Sequence, residues 1–192
     1  MNQAKLEVIY DHYNSTFDLQ LKYLNQRNKY FILLLVLGTV LFFQIANLNA
    51  IDNLIDGFIK SNVSDTVNVD TNFIHSILIF SILWTLMLYF QVNSTIRTQY
   101  KYLHKLEKEL SLLLKPFELD REGSFYRKYL TSHGKLSKII YVYFFPIFIL
   151  ITVISSGVKT FQLEEDLGIL IFFDFLIYFL IVILSLLYIF KK

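Results

Sequence analysis

Apolar positions along this chain are concentrated in four runs, which are separated by segments rich in polar and charged residues. A helix needs about 20 mostly apolar residues to cross the hydrocarbon core of a bilayer. The runs are apolar on all sides, whereas a soluble helix of this length shows a polar stripe. The pattern predicts an all-α, polytopic membrane protein with four transmembrane helices, at Phe31–Leu48, Phe73–Val92, Leu136–Ser156 and Leu167–Phe190.

Two segments outside these runs also have helical periodicity. An amphipathic helix is predicted within residues 1–29, because apolar residues recur there every three or four positions, at Leu6, Ile9, Tyr13, Phe17, Leu21 and Leu24. No Gly or Pro occurs between Phe73 and Lys115, so the second transmembrane helix is expected to continue well beyond the bilayer. That extension carries a two-heptad seam, which should pack either on the N-terminal helix or in a homo-oligomer, formed by Leu103, Leu106, Leu110 and Leu113.

The basic residues predict the orientation of the chain in the membrane. Sixteen of the 18 Lys and Arg residues lie before the first run, between the second and third runs, or after the fourth. The positive-inside rule then places both termini and the central region 97–135 in the cytoplasm, and the acidic loop 49–72 outside. The predicted division is a cytoplasmic helix at 1–29, a membrane pair at 30–96, the basic cytoplasmic helical region at 97–135, and a second membrane pair at 136–192.

One helical stripe of the cytoplasmic extension is basic. It is formed by Arg97, Lys101, Lys105 and Lys108 at spacings of four, four and three residues. Such a stripe is most often a solvated face near anionic lipid headgroups. The functional alternative is a docking face for an acidic partner. Both interpretations remain open from the sequence.

An acidic residue, Asp174, lies inside the fourth apolar run, where a carboxylate is costly unless it faces the interior of a helix bundle. The predicted partners at similar depth come from the other three runs, and they are Gln44, Asn47, His75, Ser81, Ser155 and Ser156. The structural interpretation is a layer of interhelical hydrogen bonds that includes a protonated Asp174. The functional interpretation is a water-filled vestibule or a signal-sensitive polar cluster. Within the third run, Pro146 is expected to bend the helix.

Motifs for chemistry are missing from the sequence. There is no cysteine, no metal-binding spacing among the four histidines and no phosphate-binding Gly-rich loop. No nucleophile–base pair or pair of intramembrane carboxylates is evident. We therefore expect a protein that is not an enzyme, has no cofactor or metal, and makes no direct contact with nucleic acid.

The layout resembles a class of small four-span proteins from bacterial phage-defence systems, among which the membrane subunit of the Kiwa system is most similar. The membrane accessory protein of type VI-B CRISPR loci is a second similar layout. The resemblance lies in length, four spans, cytoplasmic termini and the basic helical region Arg97–Lys138, and no specific motif carries it. It implies an oligomeric inner-membrane sensor that holds a cytoplasmic effector at its basic face. The alternative function is an oligomeric ion channel that depolarises the membrane.

Overall fold

The computed structural model describes residues 3–46, 57, 61, 71–114, 132–163 and 169–190. Every regular element among these residues is helical, which confirms the all-α prediction. The elements in chain order are α1 (Gln3–Ala46), α2 (Thr71–Leu113), α3 (Ser132–Ile139), a π-helical turn (Ile140–Phe144), α4 (Phe145–Leu163) and α5 (Ile169–Phe190). The predicted acidic loop 49–72 and the second half of the basic region 97–135 fall largely outside the described residues.

Within the part of the chain that the structure describes, four helical segments are long and apolar enough to cross a membrane: α1, α2, the π-helical turn with α4, and α5. Large apolar side chains cover their outer surfaces, and Phe42, Trp84, Ile151 and Phe172 are each more than half exposed. So much exposed apolar surface on every helix is unfavourable in water and compatible with contact to lipid tails. Length and composition thus identify a membrane protein with four transmembrane helices.

The chain divides into two compact units. The paired-helix unit combines Met1–Tyr30 with Leu88–Ile139, and the four-helix unit combines Phe31–Met87 with Ile140–Lys192. Helices α1 and α2 contribute to both units, because their 44 and 43 residues are about twice the length that a membrane span requires.

The two long helices are continuous for a simple local reason. No Gly or Pro precedes Gly38 in α1, and none lies within α2, so nothing in either sequence interrupts helix propagation. The predicted continuation of the second helix is confirmed, since α2 ends at Leu113, shortly before Pro116. The N-terminal amphipathic segment and the first span form one helix rather than two.

The core of the four-helix unit consists of aliphatic and aromatic side chains that recur on one face of each helix. At the end where α1 enters this unit, the ring of Phe31 lies 4.8 Å from that of Tyr141 and 4.6 Å from that of Phe145, centroid to centroid. The fully or almost fully buried apolar residues of the unit include Leu34, Leu41, Ile79, Ile82, Leu86, Phe145, Ile149, Val153 and Ile181.

The π-helical turn lies directly before Phe145 and Pro146. Proline has no backbone N–H, so it cannot donate to the carbonyl of Val142, and its ring crowds that carbonyl in an α-helix. A π-helical turn widens the backbone locally and removes this conflict. The sequence predicted a bend at Pro146, and the structure places a change of helix type there.

In the paired-helix unit, the predicted leucine seam is largely buried. Leu103, Leu106 and Leu110 are 0%, 5% and 2% exposed, and Leu113 is half-buried. This burial is reached within a single chain. A second copy of the protein is therefore not needed to cover these leucines, and the homo-oligomer remains a prediction.

Candidate functional site

A chain of hydrogen bonds joins one polar side chain from each of the four helices in the four-helix unit. Nδ1 of His75 on α2 lies 2.9 Å from Oε1 of Gln44 on α1, and Nε2 of His75 lies 2.8 Å from the hydroxyl of Tyr178 on α5. The same hydroxyl lies 2.8 Å from Oγ of Ser156 on α4. We call Gln44, His75, Ser156 and Tyr178 the polar cluster.

One assignment of protons satisfies the three shortest contacts in the polar cluster. The amide oxygen of Gln44 can only accept, so Nδ1 of His75 carries the proton and donates to it. In a neutral imidazole the other nitrogen, Nε2, then accepts from the hydroxyl of Tyr178. The oxygen of Tyr178 in turn accepts from Ser156, whose Oγ is 3.5 Å from Nε2 of His75.

The polar cluster lies near one end of the four-helix unit, where α1 ends and α2 begins. Gln44 is two residues before the last residue of α1, and His75 is four residues after the first residue of α2. Tyr178 belongs to a buried stripe of α5 that recurs every three or four residues, formed by Ile171, Asp174, Tyr178, Ile181 and Ser185. Helical spacing therefore brings an aromatic hydroxyl from an otherwise apolar helix into the bundle interior.

Gly157 and Lys159 of α4 support the arrangement of the polar cluster. Gly157 lies against the ring of Tyr178, and a Cβ at this position would stand 3.4 Å from the ring carbon Cδ2. Small residues allow such close packing of membrane helices. Nζ of Lys159 donates to the backbone carbonyl of Ile45 in the last turn of α1. Carbonyls in the last turn of a helix have no partner within it, and a cation there also meets the negative end of the helix dipole.

The sequence-predicted residues are only partly brought together. Gln44 and His75 are in direct contact, and Asp174 is 4% exposed, one turn before Tyr178 on the same face of α5. Asp174 is near enough to interact electrostatically with the Tyr178 hydroxyl. Ser155 is exposed and does not join the polar cluster, whereas the next residue, Ser156, is 1% exposed. Successive residues point about 100° apart on a helix, so only one of the two serines can face inwards.

Tyr178 was not among the residues predicted from the sequence. An aromatic residue in an apolar run resembles any lipid-facing or core side chain, and the fourth run contains many of them. A signal was nevertheless present, because Tyr178 is four residues after Asp174 and must share its face of the helix. A tyrosine hydroxyl on the same face as an intramembrane carboxylate is expected to turn into the bundle.

A second group of polar contacts connects α1 to α2 in the paired-helix unit. The hydroxyl of Tyr13 donates to Oε1 of Glu107 at 3.1 Å, and Glu107 is only 4% exposed. Oε2 of the same carboxylate lies 3.9 Å from Nδ1 of His104, one turn earlier on α2. Further along, Nε2 of His12 and the hydroxyl of Tyr102 are 2.7 Å apart. The Tyr13–Glu107 and His12–Tyr102 pairs join distant parts of the sequence and fix the register between the two helices.

The basic stripe lies on the opposite side of α2 from the leucine seam, as about 100° per residue requires. Arg97, Lys101, Lys105 and Lys108 are all exposed. Among the described residues, the leucines of the seam are buried or half-buried, whereas the basic side chains of the stripe are exposed.

The described residues contain no group of three or more His, Cys, Asp and Glu side chains that could hold a metal ion. The polar cluster supplies one imidazole, one phenol, one amide and one hydroxyl. Its chemistry is hydrogen bonding between the four helices.

Comparison with known proteins gives no assignment for this chain. It matches no protein-family model, no curated protein and no solved structure. What the protein does must therefore be inferred from its own polar cluster and basic stripe.

Proposed function

We propose that this chain is the membrane sensor and scaffold of a bacterial anti-phage system. It would lie in the inner membrane with both termini in the cytoplasm and hold an acidic effector protein at the basic stripe. The anti-phage setting rests on the resemblance in layout to small four-span proteins of phage-defence systems. The orientation rests on the one-sided distribution of Lys and Arg residues.

The observation that carries the proposal is the exposure of the basic stripe on a helix whose opposite face is already covered. Leu106 and Leu110 are buried within the chain, so α2 has no further need for a partner on that side. On the other side, Lys101, Lys105 and Lys108 are exposed. Clustered positive charge of this kind attracts an acidic surface and accelerates its association.

The position of the stripe favours a protein partner over the lipid surface. Lys108 is sixteen residues beyond Val92, the last residue of the second apolar run, which is about 24 Å along the axis of α2. Attraction to anionic headgroups falls off within a Debye length, about 8 Å at physiological ionic strength. Arg97 is within reach of headgroups by this measure, whereas the far end of the stripe is suited to a soluble partner.

The two long helices provide a route from a membrane signal to the effector. Helix α2 carries His75 of the polar cluster and also the basic stripe, while α1 carries Gln44 of the cluster and Tyr13, which bonds to Glu107. A perturbation that breaks the polar cluster therefore acts on the same two helices that form the paired-helix unit. This shared use of α1 and α2 is the physical basis for the sensor part of the proposal.

Co-expression with the cytoplasmic product of the neighbouring gene tests the scaffold directly. The variant Lys101→Glu, Lys105→Glu, Lys108→Glu reverses three charges of the stripe. The matched control, Lys5→Glu, Lys22→Glu, Lys29→Glu, reverses three exposed charges of α1 and changes the net charge equally. We expect the stripe variant to lose co-purification from membranes and the control to keep it. Equal loss in both variants, or equal retention, would show that the stripe is not the docking face.

A second measurement on the same preparations tests the alternative function, an oligomeric ion channel. Asp174 is 4% exposed, so its carboxylate does not line a wide water-filled passage within one chain. Wild-type protein in liposomes should therefore show no constitutive ion flux. A sustained flux that requires Asp174 would favour the channel over the scaffold.

A further inference from the structure

We propose that copies of this chain associate within the membrane, with α2 of one copy packed on α1 of a second copy. In this contact the indole N–H of Trp84 donates a hydrogen bond to the hydroxyl oxygen of Thr39 of the second copy. Both residues belong to the four-helix unit. The inference goes beyond the scaffold function, because it assigns a partner to the four-helix unit and holds whether or not an effector binds the paired-helix unit.

Trp84, the single tryptophan of the chain, faces outwards near the middle of a predicted span. It lies eleven residues after Phe73 and eight before Val92, which bound the second apolar run, and it is 57% exposed. Tryptophan is normally enriched at the membrane interfaces, where its N–H meets polar groups. Within the described part of the chain, the indole N–H of Trp84 makes no hydrogen bond. An N–H left unpaired in hydrocarbon is costly, so this position favours an acceptor from another protein molecule.

Thr39 is an exposed residue of α1 that can supply this acceptor. Its Oγ1 donates to the carbonyl of Leu35 at 2.7 Å. This bond uses the hydroxyl proton and leaves lone pairs of the oxygen available, because a hydroxyl has one donor and two acceptor sites. Thr39 therefore offers an acceptor on a surface that is otherwise apolar.

The polar cluster sets the relative depth of the two residues. Gln44 on α1 and His75 on α2 are in contact. Five positions further along each helix, away from that end of the bundle, lie Thr39 and Phe80. Trp84 is about one turn deeper than Phe80. Because helical side chains lean towards the N-terminus of their helix, the indole of Trp84 extends back towards the depth of Thr39.

The exposed faces of the two helices match along four turns. On α2 the face consists of Phe73, Ile77, Phe80, Trp84 and Met87, and on α1 it consists of Ile32, Val36, Thr39 and Phe43. Two copies with one orientation in the same bilayer present these faces antiparallel and at equal depth. The register of the Gln44–His75 contact then places Met87 opposite Ile32, Trp84 opposite Val36, Phe80 opposite Thr39, and Ile77 opposite Phe43. The small side chain of Val36 leaves room for the indole.

The area of these faces is large enough for a specific contact. About half of each side chain is exposed on both faces. An aromatic side chain buries about 150–250 Å² when it is fully covered, so the two faces together can bury roughly 1,000 Å². Specific protein–protein interfaces begin at about this size.

Other faces of the four-helix unit do not complement Trp84 in the same way. On its own face of α2, the neighbours Phe80 and Met87 have no oxygen, so a symmetric contact between two α2 helices leaves the indole unpaired. Among the described residues, the exposed side chains of α5 are all apolar. On α4 the exposed hydroxyl is that of Ser155, which lies at the depth of the polar cluster and not of Trp84. The face of α1 around Thr39 is the one that fits.

Disulfide crosslinking between two differently tagged copies tests the contact, because the wild-type chain has no cysteine. One copy carries Thr39→Cys and the other Phe80→Cys, so a mixed-tag disulfide joins two molecules. The matched control uses Val40→Cys, an exposed neighbour that points about 100° away from Thr39. We expect a mixed-tag dimer in membranes for the first pair and a yield several-fold lower for the control.

Three results of this experiment would overturn the proposal. Equal yields from both pairs would indicate random collisions. The absence of a dimer from both pairs would indicate that lipid alone covers α2. A dimer formed mainly between two Phe80→Cys copies would indicate a symmetric contact between α2 helices.

The hydrogen bond itself is tested by energy transfer between labelled copies in liposomes of decreasing protein content. Trp84→Phe removes the N–H, and Thr39→Val removes the oxygen with little change of shape. Each should lower the association constant about 3-fold to 20-fold. The double variant should lose little more than either single variant, because both substitutions remove one shared bond.

Ser155→Ala is the control for these liposome measurements, because it removes an exposed hydroxyl from another helix and should leave association unchanged. Association constants of Trp84→Phe and Thr39→Val equal to wild type would overturn the proposed bond. Losses that add up fully in the double variant would do the same, since the two residues would then act independently.

Discussion

The hydroxyl of Tyr178 on α5 and Nε2 of His75 on α2 are 2.8 Å apart, and this contact joins two residues that are 103 positions apart in the sequence. Gln44 and Ser156 extend it to the other two spans. A hydrogen bond between membrane helices contributes modestly to stability, with an average near 0.6 kcal/mol and a maximum near 1.7 kcal/mol. The specific value of the polar cluster is that it fixes the register of four helices at one end of the bundle.

The adjacent serines of α4 offer a matched test of the polar cluster. Ser156→Ala removes a hydroxyl that bonds to Tyr178, so it should lower the free energy of unfolding in bicelles by about 1 kcal/mol. Ser155→Ala removes an exposed hydroxyl from the neighbouring residue and should have no measurable effect. Equal effects of the two substitutions would mean that Ser156 is not held in the cluster.

Asp174 should tolerate an amide better than an aliphatic side chain. Asp174→Asn keeps a polar group of almost the same shape in the buried layer of α5, so assembly and thermal stability in detergent should remain close to wild type. Asp174→Leu removes the polar group and leaves its neighbours without bonds, at a cost of about 1–3 kcal/mol. If Leu is tolerated and Asn is not, the carboxylate acts through its charge and not through hydrogen bonding.

Substitutions at two leucines of α2, one in the leucine seam and one outside it, test whether the seam is buried. Leu106 is 5% exposed and Leu112 is 66% exposed. Leu106→Asp places a carboxylate at a buried position of the paired-helix unit, and it should destabilise that unit by about 3 kcal/mol or more. Leu112→Asp should change stability by less than about 0.5 kcal/mol. Limited proteolysis and thermal melting in detergent provide the readout, and similar behaviour of the two variants would contradict the observed burial.

The expected orientation can be tested with single cysteines, because the wild-type chain has none. Ser64→Cys and Glu165→Cys lie between the predicted spans in segments that are expected outside, and they should react with an impermeant thiol reagent in intact cells. Leu112→Cys is well exposed on α2 but expected in the cytoplasm, so it should react only after the membrane is permeabilised. The reverse labelling pattern would invert the topology and place the basic stripe outside the cell.

Much of the fold follows from the sequence because membrane helices leave strong local signals. A long apolar run predicts a span, and the absence of Gly and Pro predicted that α2 would run on as far as Lys115; the helix ends at Leu113. No Gly or Pro precedes Gly38 in α1 either, so the sequence also favoured a single helix from the N-terminal segment into the first span. No local sequence pattern distinguishes the π-helical turn found before Pro146 from a kinked α-helix.

The candidate site was less predictable, because partners in a bundle depend on helix rotation. Gln44 and His75 were identified as polar residues at similar depth, and they are in contact. Depth alone could not separate Ser155 from Ser156, since adjacent residues lie at nearly the same height but point about 100° apart. Tyr178 required knowledge of which face of α5 is buried, and Asp174 was the only residue that could have indicated it.

Site-specific photo-crosslinking in living cells tests the central claim, that the basic stripe holds a cytoplasmic protein, most directly. A benzophenone amino acid at position 105 lies in the stripe, and one at position 8 lies on α1 at a residue that is also exposed. The account predicts that position 105 crosslinks to one soluble acidic protein, that position 8 does not, and that Lys101→Glu with Lys108→Glu abolishes the product. Crosslinks from position 105 to lipid alone, or equal protein crosslinks from both positions, would contradict it.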